Sequence, residues 1–294
     1  MKLGLGTAQF GMAYGITNKR GPVPLDEVRT ILLAAASTGI ELLDTAAAYG
    51  NSEAVLGKLK DECSTFRIVT KLPKLSAVEC LDDRLVCWQS SLERSLSELC
   101  RDRIDVLLAH DSSDLLSRDG DRLWRLLESF RASGQVGKIG ASIYEGAEIV
   151  GLLDRYEIEA VQVPLNAFDN RLARKGYLAL LADRNIEIHA RSVFLQGLLL
   201  ISEDQIPEQV FGLRSTLARW QNMLRERQLT SLEGALLSVR QCLEVDVLML
   251  GVTASAELRE VLKAWRSIKD VAPLDLDSVA VVDKKLIDPR FWPV

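Results

Sequence analysis

The chain is poor in the residues that a metal or disulfide protein needs. It has only two histidines, His110 and His189, which excludes a His-rich metal site. Its five cysteines, Cys63, Cys80, Cys87, Cys100 and Cys242, are odd in number and include no C-x-x-C pair. Free thiols and a cytoplasmic location are therefore expected. No apolar run reaches the ~18 residues of a membrane span. The N-terminus lacks a basic region followed by an apolar stretch, so no signal peptide is expected. The net charge of -5 gives no electrostatic case for nucleic acid or an anionic membrane as partner. Linkers, repeats and low-complexity tracts are also missing. No G-x-G-x-x-G joins a strand to a helix, which argues against a doubly wound dinucleotide-binding sheet.

What is present is a regular alternation. At 294 residues the chain suits one large domain or two small ones, and its 48% apolar content allows a sizeable core. Strands are expected at Lys2–Thr7, up to Asp44, up to Lys71, at Ile104–Ala109, Lys138–Ser142, Ala160–Pro164, Glu187–Ser192 and Val245–Gly251. Helices are expected between them, from Leu25 to Ser37, Glu53 to Lys60 with Ser52 as N-cap, Cys80 to Cys100, Asp121 to Ala132, Ala147 to Tyr156, Arg171 to Asp183, Ser231 to Cys242 and Ser255 to Ile268. Eight strand–helix units point to a parallel sheet covered by helices, and eight favour a closed barrel. The expectation is one (β/α)8 barrel domain over residues 1–294. It carries an excursion at about 199–229, with a helix from Phe211 to Arg227. A C-terminal helix around Asp277–Leu286 and a tail occupy about 275–294.

Four reactive side chains fall at successive strand exits. Ile40-Glu-Leu-Leu-Asp44 runs into the turn Ala-Ala-Ala-Tyr49-Gly50. Phe66-Arg-Ile-Val-Thr runs into Lys71, and Ile104-Asp-Val-Leu-Leu-Ala runs into His110. In a barrel the chemistry sits at the C-terminal ends of the strands. An acid, a phenol, an ammonium and an imidazole at one rim form a proton-transfer set, because a phenol is a poor acid until a cation stabilises its phenolate. Singly, each residue reads as an ordinary strand-end or turn side chain; together they read as a site. His189 lies mid-strand and reads as a core residue.

This constellation resembles the aldo-keto reductase family, over nearly the whole chain. The resemblance implies that Asp44, Tyr49, Lys71 and His110 are catalytic, with Tyr49 as general acid and His110 orienting the carbonyl. It implies a nicotinamide cofactor, NADPH or NADH, met by Thr7, Asp44, Ser142, Gln162, Arg191, Ser192, Leu195, Gly197, Gly251, Thr253, Ser255 and Glu260. Three positions depart from the family pattern. Ile143 follows Ser142 where asparagine is frequent, Arg191 replaces an aromatic, and Val261 replaces a frequent asparagine. Glu257 also stands where many NADPH-dependent relatives carry a base, which makes NADH a serious rival. The short hairpin that plugs the barrel floor in relatives is expected to be shortened or missing. Phe10, Met12, Tyr14 and Trp292 are candidates for the substrate mouth.

The leading expectation is a reductase of an aldehyde or ketone, a carbohydrate carbonyl among them, acting as a monomer or small homo-oligomer without nucleic acid or membrane partners. The rival is a cofactor-binding regulatory or sensing subunit with little turnover; multiple-turnover cofactor oxidation across an aldehyde panel separates the two. A phosphate-sugar isomerase is disfavoured, because no glycine-rich phosphate loop with a catalytic Glu stands out.

Overall fold

A computed structural model describes residues 1–18 and 20–292 of the chain. Its apolar runs form eight parallel strands, β1 Lys2–Gly6, β2 Leu42–Asp44, β3 Arg67–Leu72, β4 Ile104–Ala109, β5 Val136–Ser142, β6 Ala160–Pro164, β7 Glu187–Arg191 and β8 Val247–Gly251. They close in sequence order, β1 pairing with both β2 and β8, so the expected (β/α)8 barrel forms. Strands covered by helices are buried on both faces, which is why they read as near-continuous apolar runs. The barrel interior holds Leu42, Val69, Val106, Leu108, Ala160, Val247 and Met249. Gly4 makes room there: a Cβ would come within 2.7 Å of the Met249 sulfur.

The helices are α1 Ala8–Gly11, α2 Leu25–Ser37, α3 Ser52–Lys58, α4 Leu81–Leu99, α5 Ser112–Leu116, α6 Gly120–Ala132, α7 Gly146–Leu153, α8 Arg171–Arg174, α9 Tyr177–Ala182, α10 Arg214–Glu226, α11 Ser231–Arg240, α12 Ser255–Ser267 and α13 Lys284–Ile287. Several depart from expectation. The stretch from Arg171 to Asp183 is two short helices, because Gly176 adopts φ +76° between them. The excursion enters α10 through a 3-10 segment, Glu208–Leu213, rather than by a helix from Phe211. The expected helix at Asp277–Leu286 shrinks to α13, with a 3-10 turn Pro289–Phe291 after it. The last two residues of the expected tail lie outside the described residues. Ser52 is the first residue of α3, not its N-cap.

The barrel floor is polar. Glu187 receives Lys138 Nζ at 2.6 Å and contacts His189 Nε2 at 2.9 Å and Arg67 Nη1 at 3.4 Å. The His189 hydrogen bond leads in holding this carboxyl far below its ordinary range, with the two cations adding to it. His189 is fully buried, as its mid-strand place implies.

At the opposite rim, α1 sets the Tyr49 turn. Gly11 and Gly50 let two backbones meet: a Cβ on Gly11 would collide with the Tyr49 carbonyl and the Ser52 amide, and Gly50 takes φ +57°. Asn51 N–H donates to the Gly11 carbonyl at 3.3 Å. Gly11→Ala is therefore expected to push the turn off α1. Overpacking of this kind costs about 1–3 kcal/mol. Urea unfolding should show that loss, and a variant within about 0.5 kcal/mol of the parent, the range of neutral surface changes, would show the contact to be unimportant.

Candidate active site

Strands β2 and β3 bring an acid and an amine together in the barrel mouth. Lys71 Nζ donates to Asp44 Oδ1 at 2.6 Å and to the Thr45 carbonyl at 2.9 Å, and lies 3.4 Å from Tyr49 Oη. The lysine side chain is 1% exposed and that of Asp44 6%. A buried ammonium needs such a partner, since desolvation of each ion costs several kcal/mol. His110 follows β4, and its ring meets Tyr49 edge-on at 5.9 Å between centroids. The four side chains picked out at strand exits thus share one site.

Burial governs their protonation. It pushes the Tyr49 phenol up, and the Asp44 charge adds to this, while Arg191 acts in the opposite sense. The expectation that Lys71 lowers this phenol is overridden: the ammonium is already matched by Asp44, and desolvation dominates. Burial pulls Lys71 down, and Asp44 opposes it. Burial and then the charges of Lys71, Arg191 and Lys74 bring His110 down to about 3, so the imidazole is neutral at ordinary pH.

Hydroxyl groups hold the rim. Ser52 Oγ donates to the Thr7 carbonyl at 2.9 Å, accepts from Thr45 Oγ1 at 3.1 Å and lies 2.8 Å from Thr7 Oγ1. Glu53, beside it, is buried and receives Thr70 Oγ1 at 2.5 Å and Ser95 Oγ at 3.0 Å. Burial raises its carboxyl above the ordinary range. Sequence reasoning missed this tie; an acid three residues past a strand-exit turn was its only signal.

A cavity of about 440 Å³ opens beside Tyr49. Its lining follows the strand order β2, β1, β8, β7: Asp44 and Tyr49, then Gly6 and Thr7, then Gly251, Thr253 and Glu257, then Arg191, Ser192 and Gly197. Tyr14 lines it too, whereas Phe10 is core and Trp292 is buried. Ser142, at the end of β5, and Gln162, in the middle of β6 rather than at its end, are buried register partners. Neither lines the cavity, and three further expected contacts also fall off it. Leu195 is fully buried in the core, Ser255 is buried off the cavity, and Glu260 is exposed on α12 without lining it. Glu257, in the first turn of α12, lines the cavity; Glu260 lies on nearly the same face but about 4.5 Å further along the helix axis, away from it.

Residues 2–286 match the model of the aldo/keto reductase family. The chain belongs to that family. It is 25% identical over 274 residues to an uncharacterised oxidoreductase of Schizosaccharomyces pombe, covering 89% of this chain and 87% of that one. It is 30% identical over 178 residues to a glyoxal reductase of Bacillus subtilis, covering 60% and 62%. Two solved structures share the fold. An aldo-keto reductase from Bacillus halodurans in holo form has a TM-score of 0.72 at 18% identity, covering 98% of this chain and 95% of that one. A glycerol dehydrogenase from Gluconobacter oxydans has a TM-score of 0.70 at 20% identity, covering 99% and 93%.

As an aldo-keto reductase the chain is a nicotinamide-dependent enzyme, and its residues suit that cofactor. Gln162 Nε2 donates to Asp44 Oδ1 at 2.8 Å, which leaves Oε1 a buried acceptor with no partner among the described residues. An acceptor of that kind, beside Ser142, fits an amide group. After β7, Ser192, Leu195, Gln196 and Gly197 take φ values of +61°, +47°, +56° and +91°, curling the loop tightly. A Cβ on Gly197 would collide with Thr17, and one on Gly251 would lie 2.6 Å from Gln9 Nε2. No helix among the described residues is long and apolar enough to cross a membrane.

The neutral His110 makes stability depend on pH. Its folded pKa of about 3 lies below the unfolded value of ~6.5, so the unfolded chain takes up the proton first as pH falls. The resulting stability is full above pH ~6.5 and is lost progressively toward pH 3. His110→Gln should flatten the fall in unfolding free energy between pH 6.5 and 4.5 relative to the parent. Parallel slopes for the two proteins would show that His110 is not the group responsible.

Proposed function

We propose that this protein reduces an aldehyde or ketone to an alcohol, with Tyr49 as the general acid. The observation that carries this reading is Lys71 Nζ shared between Asp44 Oδ1 and Tyr49 Oη in one buried site. The nicotinamide supplies the hydride when bound. Tyr49 remains protonated at neutral pH because burial raises its pKa, so it holds a proton for the carbonyl oxygen. Lys71, anchored by Asp44, then faces the phenolate that forms. His110, neutral, donates one ring N–H to the same oxygen and sets its direction. Free thiols at all five cysteines support a cytoplasmic setting.

Tyr49→Phe keeps the ring and removes the proton. Carbonyl reduction should fall by ~10²–10⁴-fold, the usual contribution of a general acid, while cofactor binding persists. Turnover close to the parent value in the purified variant would remove Tyr49 from this role.

The cofactor is NADPH or NADH, and the α12 entrance favours NADH. Thr253 N–H donates to Glu257 Oε2 at 2.7 Å, and its hydroxyl donates to Glu257 Oε1 at 2.9 Å. Ser255 N–H donates to Glu27 Oε1 at 2.5 Å. A helix N-terminus is an anion site, but here two carboxylates of the protein already take its donors. An adenosine ribose with free hydroxyls can donate to Glu257; a 2'-phosphate meets like charge. Glu257→Arg should tighten NADPH binding about tenfold, roughly one charge-assisted hydrogen bond, with the gain shrinking at high salt. If the parent already binds NADPH a hundredfold tighter than NADH (about 2.7 kcal/mol) and the variant changes neither constant, this reading of α12 is wrong.

A further inference from the structure

We propose that Arg191 receives an anionic group of the substrate, so that the preferred carbonyl compounds carry a carboxylate or a phosphate. The inference rests on the reductase reading above. Arg191 closes β7 and lines the same cavity as Tyr49. Its charge has no carboxylate within 4 Å among the described residues, whereas three cations around the reacting end are matched. Lys71 pairs with Asp44 at 2.6 Å, Lys74 with Asp111 at 3.1 Å and Arg290 with Asp288 at 2.6 Å. A guanidinium cannot shed its proton. Drawn partly out of water without a counter-ion, it costs free energy that an incoming anion recovers.

The group is held as a receptor would be. Its Nη1 donates to Ser192 Oγ at 3.3 Å and its Nη2 to the Ile143 carbonyl at 3.4 Å. The guanidinium carbon lies 4.0 Å over the Tyr144 ring, which Arg290 also approaches, at 3.3 Å. Both hydrogen bonds are to neutral acceptors, and other N–H groups of the fork remain.

An anion here has two sources, the cofactor diphosphate and the substrate, and the placement favours the substrate. The side chain leaves β7, reaches past β6 and meets the end of β5, which neighbours the strand that ends at His110. Its charge is felt at Tyr49, Lys71, His110 and Tyr14, all at the reacting end. A second cation, Arg20, is exposed on the cavity lining and is available to a diphosphate.

The test compares matched pairs: 4-carboxybenzaldehyde against its methyl ester, and glyceraldehyde 3-phosphate against glyceraldehyde. The readout is the charged-to-neutral ratio of kcat/KM in the parent, Arg191→Met and Arg191→Lys, alongside cofactor dissociation constants. Using a ratio removes any loss common to both substrates. The parent should favour the charged member of at least one pair, and Arg191→Met should lower that ratio by about ten- to a hundredfold, the worth of a charge-assisted hydrogen bond. Arg191→Lys, which keeps charge but loses the fork, should fall between them, and added salt should shrink the parent's preference. Equal ratios in parent and Arg191→Met overturn the proposal while leaving the reductase reading intact. So does a weakened cofactor with unchanged ratios, which assigns Arg191 to the diphosphate. Absence of turnover with all four compounds and a wider aldehyde panel removes the reductase reading, and the proposal with it.

Discussion

The mouth of this barrel is arranged around a lysine that water does not reach. Lys71 is 1% exposed, and such an ammonium persists only where a carboxylate stands against it and the remaining donors are satisfied. Asp44 supplies the charge and the Thr45 carbonyl a second acceptor. Asp44 is itself steadied by Gln162 from the far side of the barrel, at 2.8 Å. Replacing such a pair with apolar residues is often neutral for stability, so its presence in the core speaks for function more than for folding. The pair fixes where the Tyr49 oxygen can lie, and the Tyr49 turn must then be held to match, by Gly11, Gly50 and the Ser52 hydroxyl network.

The strand exits were legible from the sequence because each apolar run ends there in a reactive side chain. In β2, β3 and β4 an apolar stretch runs into Asp44, Lys71 or His110 at the mouth end, so a charged or imidazole side chain closing such a stretch marks the rim. Asp44, Lys71 and His110 were all found this way. What was not legible depends on contacts between distant parts of the chain. The short helices at Ala8–Gly11 and Ser112–Leu116 are too brief to show a helical period. The role of Gly11 could not be read either, since only the folded structure shows that the Tyr49 backbone lies where its side chain would be. The acids on α12 were half-legible. The i, i+4 spacing of Thr253 and Glu257 was in plain view, and the wrong charge for a phosphate could be read from it. That Glu27 also takes the Ser255 amide could not be read, because 228 residues separate the two.

Charge is distributed unevenly around the cavity. At the α12 entrance Glu257 and Glu27 occupy backbone donors, and at the reacting end Arg191 stands without a carboxylate. A ligand lying between them meets an acceptor at one end and a donor fork at the other. Orientation along the groove is then set by electrostatics as well as by shape, and like-charge contact penalises the reverse placement.

This uneven field also bears on the proton transfer proposed for the site. At rest, burial and Asp44 keep the Tyr49 phenol protonated, so an acid is present at neutral pH despite an adjacent ammonium. The same burial would make the phenolate costly at the moment the proton leaves. Two charges oppose that cost. Lys71 Nζ, 3.4 Å from the oxygen, is placed to shorten its contact as negative charge develops. Arg191 lowers the phenol's pKa in the resting structure, and no carboxylate cancels it. An anionic substrate group bound at Arg191 would screen that help. On the two proposals above, recognition and proton transfer compete for one guanidinium, and Lys71, whose contact with the oxygen does not depend on the substrate's charge, would be the principal stabiliser of the proposed phenolate.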